Sequence, residues 1–298
     1  MLVNERTAAR SRMVRAMNIA ILGTGAIGST FAYHLSKEGH AVTAIARGQR
    51  EEQLRREGAI VLVSGQRAPV EVAPQLDVTR PFDLVICTVL APQVGAVLPA
   101  LSASAAKQIM FMFNTFESLE PLREAVGPAR CLFGFPAGVL ARLVEGKLTF
   151  QLLPGTTIGD ETWAKTISKA GISCVVEADM HSWLRSHAAM VIPLMAGAVT
   201  AYRRKAGNTW AEARAYAEAF FAGIQIVRDL GHPVKPALVA VASRFPKVLI
   251  TLLLWAMSRT QTQQDLGVLG PAEARMLIDM ITAAAPGKTA ALLAIRPE

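Results

Sequence analysis

Through the first 177 residues, short apolar runs alternate with longer stretches in which apolar residues recur at helical spacing. Runs of β-branched and aliphatic residues predict strands, and the stretches between them predict helices. Strands are predicted over 18–22, 41–46, 84–89, 108–113, 131–135 and 172–176, helices over 26–39, 94–101 and 119–126, and a hairpin pairs 60–63 with 70–73. This alternation is typical of a parallel sheet with crossover helices.

After residue 176 the strand pattern disappears, and the remaining chain predicts only helices. Asp179 is a predicted N-cap, and its helix runs to Arg204. Further helices are predicted over 210–230, over 236–258 and from Pro271, a residue type favoured at the first helical position.

These patterns divide the chain into an α/β domain over 17–177 and an all-helical domain over 178–298. Residues 1–16 are rich in arginine and lack the apolar segment of a signal peptide. They are interpreted as a disordered tail, or as an over-long start that precedes a natural beginning at Met17.

The composition excludes intrinsic disorder, because 52% of the residues are hydrophobic and only 18% are charged. The richest apolar runs, 188–201 and 248–257, are shorter than the ~20 residues that a membrane-spanning helix needs. They are interpreted as buried helices, and no membrane association is expected.

Cysteine usage and charge narrow the function classes further. Cys87, Cys131 and Cys174 each lie in a predicted strand, and their odd number without metal-ligand spacing indicates reduced core thiols, a cytoplasmic protein and no metal site. The formal net charge is +8, but the cations form no stripe interleaved with aromatic residues, so nucleic acid is not an expected partner. An anionic small molecule suits this charge better.

A glycine-rich motif follows the first predicted strand. It reads Gly23-Thr-Gly25-Ala26-Ile27-Gly28 and leads directly into a helix and a second strand. In a unit of this kind the first glycine allows a tight turn, the second lets a pyrophosphate approach the backbone, and the third lets the helix pack against the strand. The motif with its context therefore predicts a Rossmann-type domain that binds a dinucleotide.

The residue after the second strand selects between two cofactors. An NAD-preferring site would carry a carboxylate there for the ribose hydroxyls, but this chain has Arg47, with Arg50 close by. A guanidinium pairs with a 2′-phosphate in bidentate fashion, which favours NADP (NADPH) as the cofactor. The alternative is that Arg47 is only a solvated loop charge.

At this point the chain resembles the ketopantoate reductases, which reduce a branched 2-oxo acid with NADPH. The resemblance rests on the glycine loop, the arginine after the second strand, the run Ala91-Pro-Gln93-Val94 after the predicted strand 84–89, a strand leading into Asn114, and Gly155-Thr-Thr-Ile-Gly159. It implies that Asn114 lies between the nicotinamide and the substrate. It also implies a role in pantothenate biosynthesis.

The first helix of the second domain departs from this family. The family carries Trp, any residue and then a catalytic Lys, followed at four-residue steps by two Asn. When Trp183 is aligned with the family's tryptophan, an alignment that we call the Trp183 register, those three positions hold Arg185, Ala189 and Pro193. In the family a proline follows the second Asn. Aligning Pro193 with that proline also gives neither the lysine nor the asparagines. The loss of the two amides predicts a roomier, less polar cleft and a bulkier substrate than ketopantoate.

Reduction of a ketone needs a hydride from the cofactor and a proton for the developing alkoxide. Arg185 can orient a carboxylate or stabilise the oxyanion, but a guanidinium with a pKa above 12 is a poor acid. His181 lies one helical turn before Arg185 and has an intrinsic pKa suited to proton donation, although it also fits an exposed first-turn residue. His187 is expected to point away from Arg185.

The resemblance implies two further substrate contacts. Glu273 keeps the family interval of eight residues after Asp265 and corresponds to a glutamate that contacts the substrate hydroxyl; alternatively it only stabilises the first turn of its helix. Gln261 takes the place of a serine that meets the substrate carboxylate.

Two hypotheses follow from the sequence. The first is an NADPH-dependent reductase that converts a 2-oxo acid, ketopantoate or a bulkier, less polar carbonyl compound, to the 2-hydroxy acid, with Arg185, Glu273 and His181 as catalytic candidates and Asn114, Ala189, Gln261 and Glu273 at the substrate. The second is an NADP-binding protein of the same fold that has lost turnover. A homodimer is left open in both.

Overall fold

The structure is a computed structural model that describes residues 16–268 and 270–298. Apart from its last residue, the predicted tail over 1–16 lies outside this described part. The strands are β1 (Asn18–Leu22), β2 (Ala41–Ile45), β3 (Ala59–Val61), β4 (Arg67–Pro69), β5 (Glu71–Ala73), β6 (Leu84–Cys87), β7 (Ile109–Phe111), β8 (Cys131–Phe135), β9 (Val139–Val144), β10 (Lys147–Leu152), β11 (Thr156–Ile158) and β12 (Cys174–Val176).

The helices form two groups, one around the main sheet and one after it. Around the sheet are α1 (Ala26–Lys37), α2 (Gly48–Glu57), α3 (Val94–Ala103), α4 (Glu120–Val126) and α5 (Glu161–Lys169). After it come α6 (Met180–Arg204), α7 (Trp210–Asp229), α8 (Ala237–Ala242), α9 (Lys247–Met257), α10 (Gln261–Gly267), α11 (Ala272–Ala284) and α12 (Ala290–Ala294). The predicted fold class, a Rossmann-type parallel sheet followed by a helical region, is confirmed.

The main sheet has eight strands in the order β12-β11-β8-β7-β6-β1-β2-β5. All its pairings are parallel except that of β8 with β11. Because successive side chains of a strand point to opposite faces, Ile19 and Ile21 of β1 enter one apolar layer while Ala20 and Leu22 enter the other. Both layers are covered by helices, which explains why the parallel strands are apolar on both faces.

The hairpin prediction is wrong in its second strand. Residues Ala59–Val61 pair with Arg67–Pro69, whereas Glu71–Ala73 continues past the hairpin and pairs in parallel with β2 at the sheet edge. The backbone N–H of Val70 donates to the carbonyl of Gly58, which brings the chain from one sheet to the other. The sequence analysis also did not predict the antiparallel hairpin of β9 with β10.

The helical region begins at the predicted cap, since Oδ1 of Asp179 accepts the backbone N–H of Ser182 at 3.0 Å. The helix predicted over 236–258 is instead two helices, because Pro246 lacks the N–H that a continuous helix needs and becomes the N-cap of α9. Helix α6 is the one helix in the described part of the chain that is long and apolar enough to cross a membrane by length and composition, and 67% of its apolar window is buried inside the protein.

The three cysteines are free thiols. Cys87 and Cys131 are buried in the main sheet, and Cys174 is half-buried at its edge. Burial raises the pKa of Cys87 to about 12 and the pKa of Cys131 and Cys174 to about 11. Such thiols stay protonated at neutral pH and are poor nucleophiles.

Candidate active site

A cleft with a volume of 1140 Å³ opens where the carboxyl ends of the parallel strands meet α6 and α11. Crevices at this end of an open α/β sheet are the usual ligand sites of such folds. The wall from the sheet carries the glycine loop, Arg47 and Asn114, and the opposite wall carries Glu273 and one face of α6. The cleft therefore joins residues that are up to 250 positions apart in the chain.

The glycine loop has the geometry that a dinucleotide needs. Gly23 has a φ of +99°, a left-handed conformation that favours glycine, and a Cβ on Gly28 would lie 2.4 Å from the carbonyl oxygen of Gly23. A Cβ on Gly25, in contrast, would meet nothing within 4 Å. Gly25 therefore faces open space beside the N-terminus of α1, where backbone N–H groups favour an anion.

Two side-chain hydrogen bonds hold the glycine loop against the neighbouring strands. Oγ1 of Thr24 donates to the carbonyl of Ile45 at 2.8 Å, and Oγ1 of Thr88 donates to the carbonyl of Gly23 at 2.7 Å. Both bonds tie the turn to the strands on either side of β1. The backbone of the loop is thus held in place before any ligand arrives.

The two arginines after β2 have different roles. Arg50 is half-buried and donates to the carbonyl of Thr24 at 3.0 Å, to Oγ of Ser29 at 2.8 Å and to the carbonyl of Gly146 at 2.8 Å, so it braces the loop. Arg47 is exposed at the cleft, and its guanidinium makes no hydrogen bond or ion pair with the described residues. Of the two, only Arg47 is free to meet a phosphate.

Asn114 and Glu273 meet across the cleft. Asn114 follows β7, and its buried Nδ2 donates to Oε1 of Glu273, in the first turn of α11, at 3.1 Å. The Oδ1 of Asn114 is buried without a hydrogen-bond partner in the described part of the chain. An unpaired buried acceptor is costly, so this atom is suited to a donor from a ligand.

Helix α6 presents His187, Val191 and Met195 to the cleft, together with Leu194. The first three are spaced by four residues, so they share one face of the helix. We call this face the cleft register. It lies two residues beyond the Trp183 register, and the sequence analysis assigned none of its members to the site, although the same spacing was visible from His187 onwards.

Arg185 and His181 are not among the residues that line the cleft. The guanidinium of Arg185 lies over the ring of Phe116, with 5.2 Å between Cζ and the ring centroid. The ring of His181 lies 4.6 Å from that of His232, and burial together with the positive charge of Arg185 lowers the pKa of His181 to about 4. The pKa of His181 is thus well below the intrinsic value on which its role was expected, and the residue is outside the cleft lining, so it is not placed to reach a substrate there.

Ala189 and Gln261, both predicted to contact substrate, also lie outside the cleft lining. Ala189 is fully buried against α7, where a Cβ on Gly223 would lie 3.2 Å from its own Cβ. Gln261 is exposed and donates to Oδ1 of Asp265 on the same helix at 2.8 Å. The physical reason is the same for both: the helix turns these positions toward another helix or toward solvent.

The fold is a Rossmann-type sheet followed by a helical region, and the cleft is lined by residues of both. Residues 19–162 match the model of the ketopantoate reductase PanE/ApbA family, so this part of the chain is a domain of that family. The resemblance that the sequence indicated is confirmed. Among the described residues, no group of three or more His, Cys, Asp or Glu is placed to hold a metal ion.

Relatives with known sequences and structures agree with this family. The 2-dehydropantoate 2-reductase of Vibrio cholerae is 33% identical over 120 residues, which are 39% of this chain and 38% of that protein. The chain thus matches less than two fifths of the length of its curated relatives.

The whole fold is shared more widely. A putative ketopantoate reductase from Ralstonia solanacearum has a TM-score of 0.74 at 15% identity over 94% of this chain and 95% of that one. D-mandelate dehydrogenase, solved with NADH and anilino(oxo)acetate, has a TM-score of 0.67 at 16% identity over 94% and 96%.

Proposed function

We propose that this protein is an NADPH-dependent reductase that converts a bulky, weakly polar 2-oxo acid to the 2-hydroxy acid. The observation that carries this proposal is the meeting of Asn114 and Glu273 in the same cleft as an unobstructed glycine loop. The residues fit the cofactor. The open space beside Gly25 can take a pyrophosphate, and the unpaired Oδ1 of Asn114 can accept a hydrogen bond from the ligand.

The chain's residues divide the work of binding between them. A reduced nicotinamide dinucleotide, when bound, supplies the hydride. Gly23, Gly25 and Gly28, with Ala26 and Ile27 at the start of α1, would hold its pyrophosphate, and Arg47 would hold a 2′-phosphate. Asn114 would orient the reacting end through its Oδ1, while Glu273 would accept a hydrogen bond from the substrate.

The substrate class follows from the rest of the lining. The helical wall offers Val191, Leu194, Met195 and Leu266, all apolar. The family resemblance implies two asparagines on α6, and neither is present in this chain. Apolar walls favour an apolar substituent, and they leave the hydroxyl of ketopantoate without a partner. The D-mandelate dehydrogenase fold neighbour, solved with the aromatic ligand anilino(oxo)acetate, supports a substrate of this bulkier kind.

The test of the proposed function is oxidation of NADPH, followed by absorbance, with a panel of 2-oxo acids that runs from ketopantoate to phenyl-substituted compounds. We expect turnover with the bulkier members. Tight NADPH binding without turnover on any member would instead favour the second hypothesis, an NADP-binding protein that has lost turnover. The free thiols agree with a cytoplasmic location.

Arg47 determines the choice between the two dinucleotides in this proposal. We expect Arg47→Ala to weaken NADPH binding about tenfold or more and to leave NADH binding unchanged, because a charge-assisted contact contributes roughly 1.5 to 3 kcal/mol. Calorimetric titration of both cofactors measures the ratio. The matched control is Arg56→Ala, which removes an exposed arginine near the C-terminal end of α2, the helix that follows Arg47. Equal affinity of the unmodified protein for NADPH and NADH would contradict the assignment.

We also propose that two copies associate through α8 and α9. The interpretation of 248–257 as a buried helix is wrong for four of its large apolar residues, which are exposed together with three neighbours. The seven exposed large apolar side chains are Leu238, Val241, Phe245, Val248, Leu249, Leu252 and Leu253. Exposed apolar side chains grouped in this way mark interaction surfaces, whereas single exposed apolar residues do not.

Sedimentation velocity tests the association. We expect a dimer at micromolar concentration and a monomer for Leu249→Asp, with Leu293→Asp, another exposed leucine, as the control that stays dimeric. A monomeric unmodified protein would overturn the proposal. If that monomer binds anionic vesicles through the same leucine, the face belongs to a membrane instead.

A further inference from the structure

We propose that His187 donates the proton that the reacting carbonyl oxygen takes up. This inference rests on the proposed reductase function. It names a proton donor in place of the family's catalytic lysine, which this chain lacks. It assigns the role to a residue that the sequence alone placed outside the site.

The position of His187 is the first support. It lies on α6 at the start of the cleft register, and it is the one titratable side chain of α6 among the described residues that line the cleft. Its ring makes no hydrogen bond within the described part of the chain, and the residue lines the cleft. A donor is therefore present at the cleft surface without an internal partner.

The packing of the ring is the second support. The imidazole stacks on the indole of Trp183 with 4.9 Å between centroids and an interplanar angle of 6°, and its centroid lies 4.2 Å from that of Phe135. Only 8% of the residue is exposed. Two aromatic neighbours fix the ring plane, so the direction of its N–H is set before substrate binds, and a preorganised donor loses little entropy in the transition state.

The electrostatics agree with a neutral donor. Burial lowers the pKa of His187 to about 4, so at neutral pH one ring nitrogen carries a proton and the other does not. The charged groups that line the cleft with it in the described chain are Arg47, Arg50 and Glu273. A neutral imidazole in such a site can donate toward a developing oxyanion, a use known from other enzymes.

The step balances without a further reagent. The carbonyl carbon of the 2-oxo acid accepts the hydride, and the π-electron pair of the C=O bond moves to the oxygen. That oxygen takes the proton from the ring N–H of His187. The ring is left as an imidazolate, a weaker base than the alkoxide, and it takes a proton from a water molecule in the cleft. The hydroxide that this leaves is neutralised by a proton from bulk solvent, and the product is the 2-hydroxy acid.

Kinetics test the role on the best substrate of the 2-oxo acid panel. We expect His187→Ala and His187→Gln to lower kcat about 10²- to 10⁴-fold with little change in KM, the usual contribution of a general acid. Added imidazole should restore part of the activity of His187→Ala but none of that of His187→Gln. His232→Gln, a histidine that hydrogen-bonds Ser182 outside the cleft, is the control expected to keep wild-type kcat.

A second readout does not depend on turnover. In protein labelled with ¹⁵N-histidine and loaded with NADPH, we expect oxamate, an unreactive 2-oxo acid analogue, to shift the ring nitrogen signals of His187 and to leave those of His181 in place. If calorimetry shows oxamate bound while the His187 signals stay unchanged, the inference is overturned.

The outcomes separate this inference from the proposed function. Turnover that stays within threefold in His187→Ala overturns only the role of His187. An unmodified protein that turns over no 2-oxo acid overturns both.

Discussion

Gly25→Val is expected to weaken binding of NADPH at least about 100-fold while leaving the fold intact. Gly25 has φ −73° and ψ −157°, an extended backbone with a negative φ, so a side chain there does not meet the strain of a left-handed conformation. A Cβ at this position meets no atom within 4 Å, so the added side chain would occupy only the space that a pyrophosphate needs. Displacing two charge-assisted contacts of roughly 1.5 kcal/mol each corresponds to that factor.

The neighbouring glycines make poor versions of this test. A side chain on Gly28 would clash with the backbone of Gly23, and any residue at Gly23 would be forced to a φ of +99°, so both changes disturb folding as well as binding. Gly95→Val is the matched control, because a Cβ on that glycine also meets nothing within 4 Å. Calorimetry gives the affinity and thermal unfolding gives the Tm. An unchanged affinity in Gly25→Val would make the loop a structural turn only.

The parallel sheet could be predicted from the sequence because each of its central strands has a residue pattern that is recognisable without its neighbours. A strand covered on both faces is a short, continuous apolar run. β6 is of this kind throughout, and β1 and β2 are so apart from Asn18 and Thr43. The edge region gave less information. Residues 67–73 form two strands of three residues in different sheets, and nothing in so short a stretch shows which neighbour each strand pairs with.

The candidate site was likewise predictable from the sequence only in part. The glycine loop is local, so its residues and their spacing were enough to predict the geometry that the structure has. The α6 wall is not local, because the face that lines the cleft is decided by the packing of α6 on α7 and on the sheet. Residues Arg185 and Ala189 share a face with the correct spacing, but Ala189 packs against Gly223 and Arg185 against Phe116. A helix pattern fixes which residues share a face and leaves open where that face points.

This difference between the two registers gives the second large expected effect. We expect the unmodified protein to turn over ketopantoate slowly or not at all, because its apolar wall leaves the substrate hydroxyl unpaired. Placing the family's lysine and asparagines in the cleft register, with His187→Lys, Val191→Asn and Met195→Asn, should raise kcat/KM for ketopantoate at least about 100-fold, since a site that hydrogen-bonds a substrate hydroxyl gains discrimination of this order or more.

The matched control places the same residue types in the Trp183 register, with Arg185→Lys and Ala189→Asn. No gain is expected from it, and stability should fall, because Ala189 is fully buried and an amide there would be forced against α7 without a hydrogen-bond partner. Steady-state kinetics on ketopantoate and thermal unfolding of both variants distinguish the registers. A gain from the control and none from the triple variant would mean that Arg185, not His187, occupies the position of the family lysine in the working enzyme. Ketopantoate turnover by the unmodified chain at least as fast as by the triple variant would show that the apolar wall does not select against its hydroxyl.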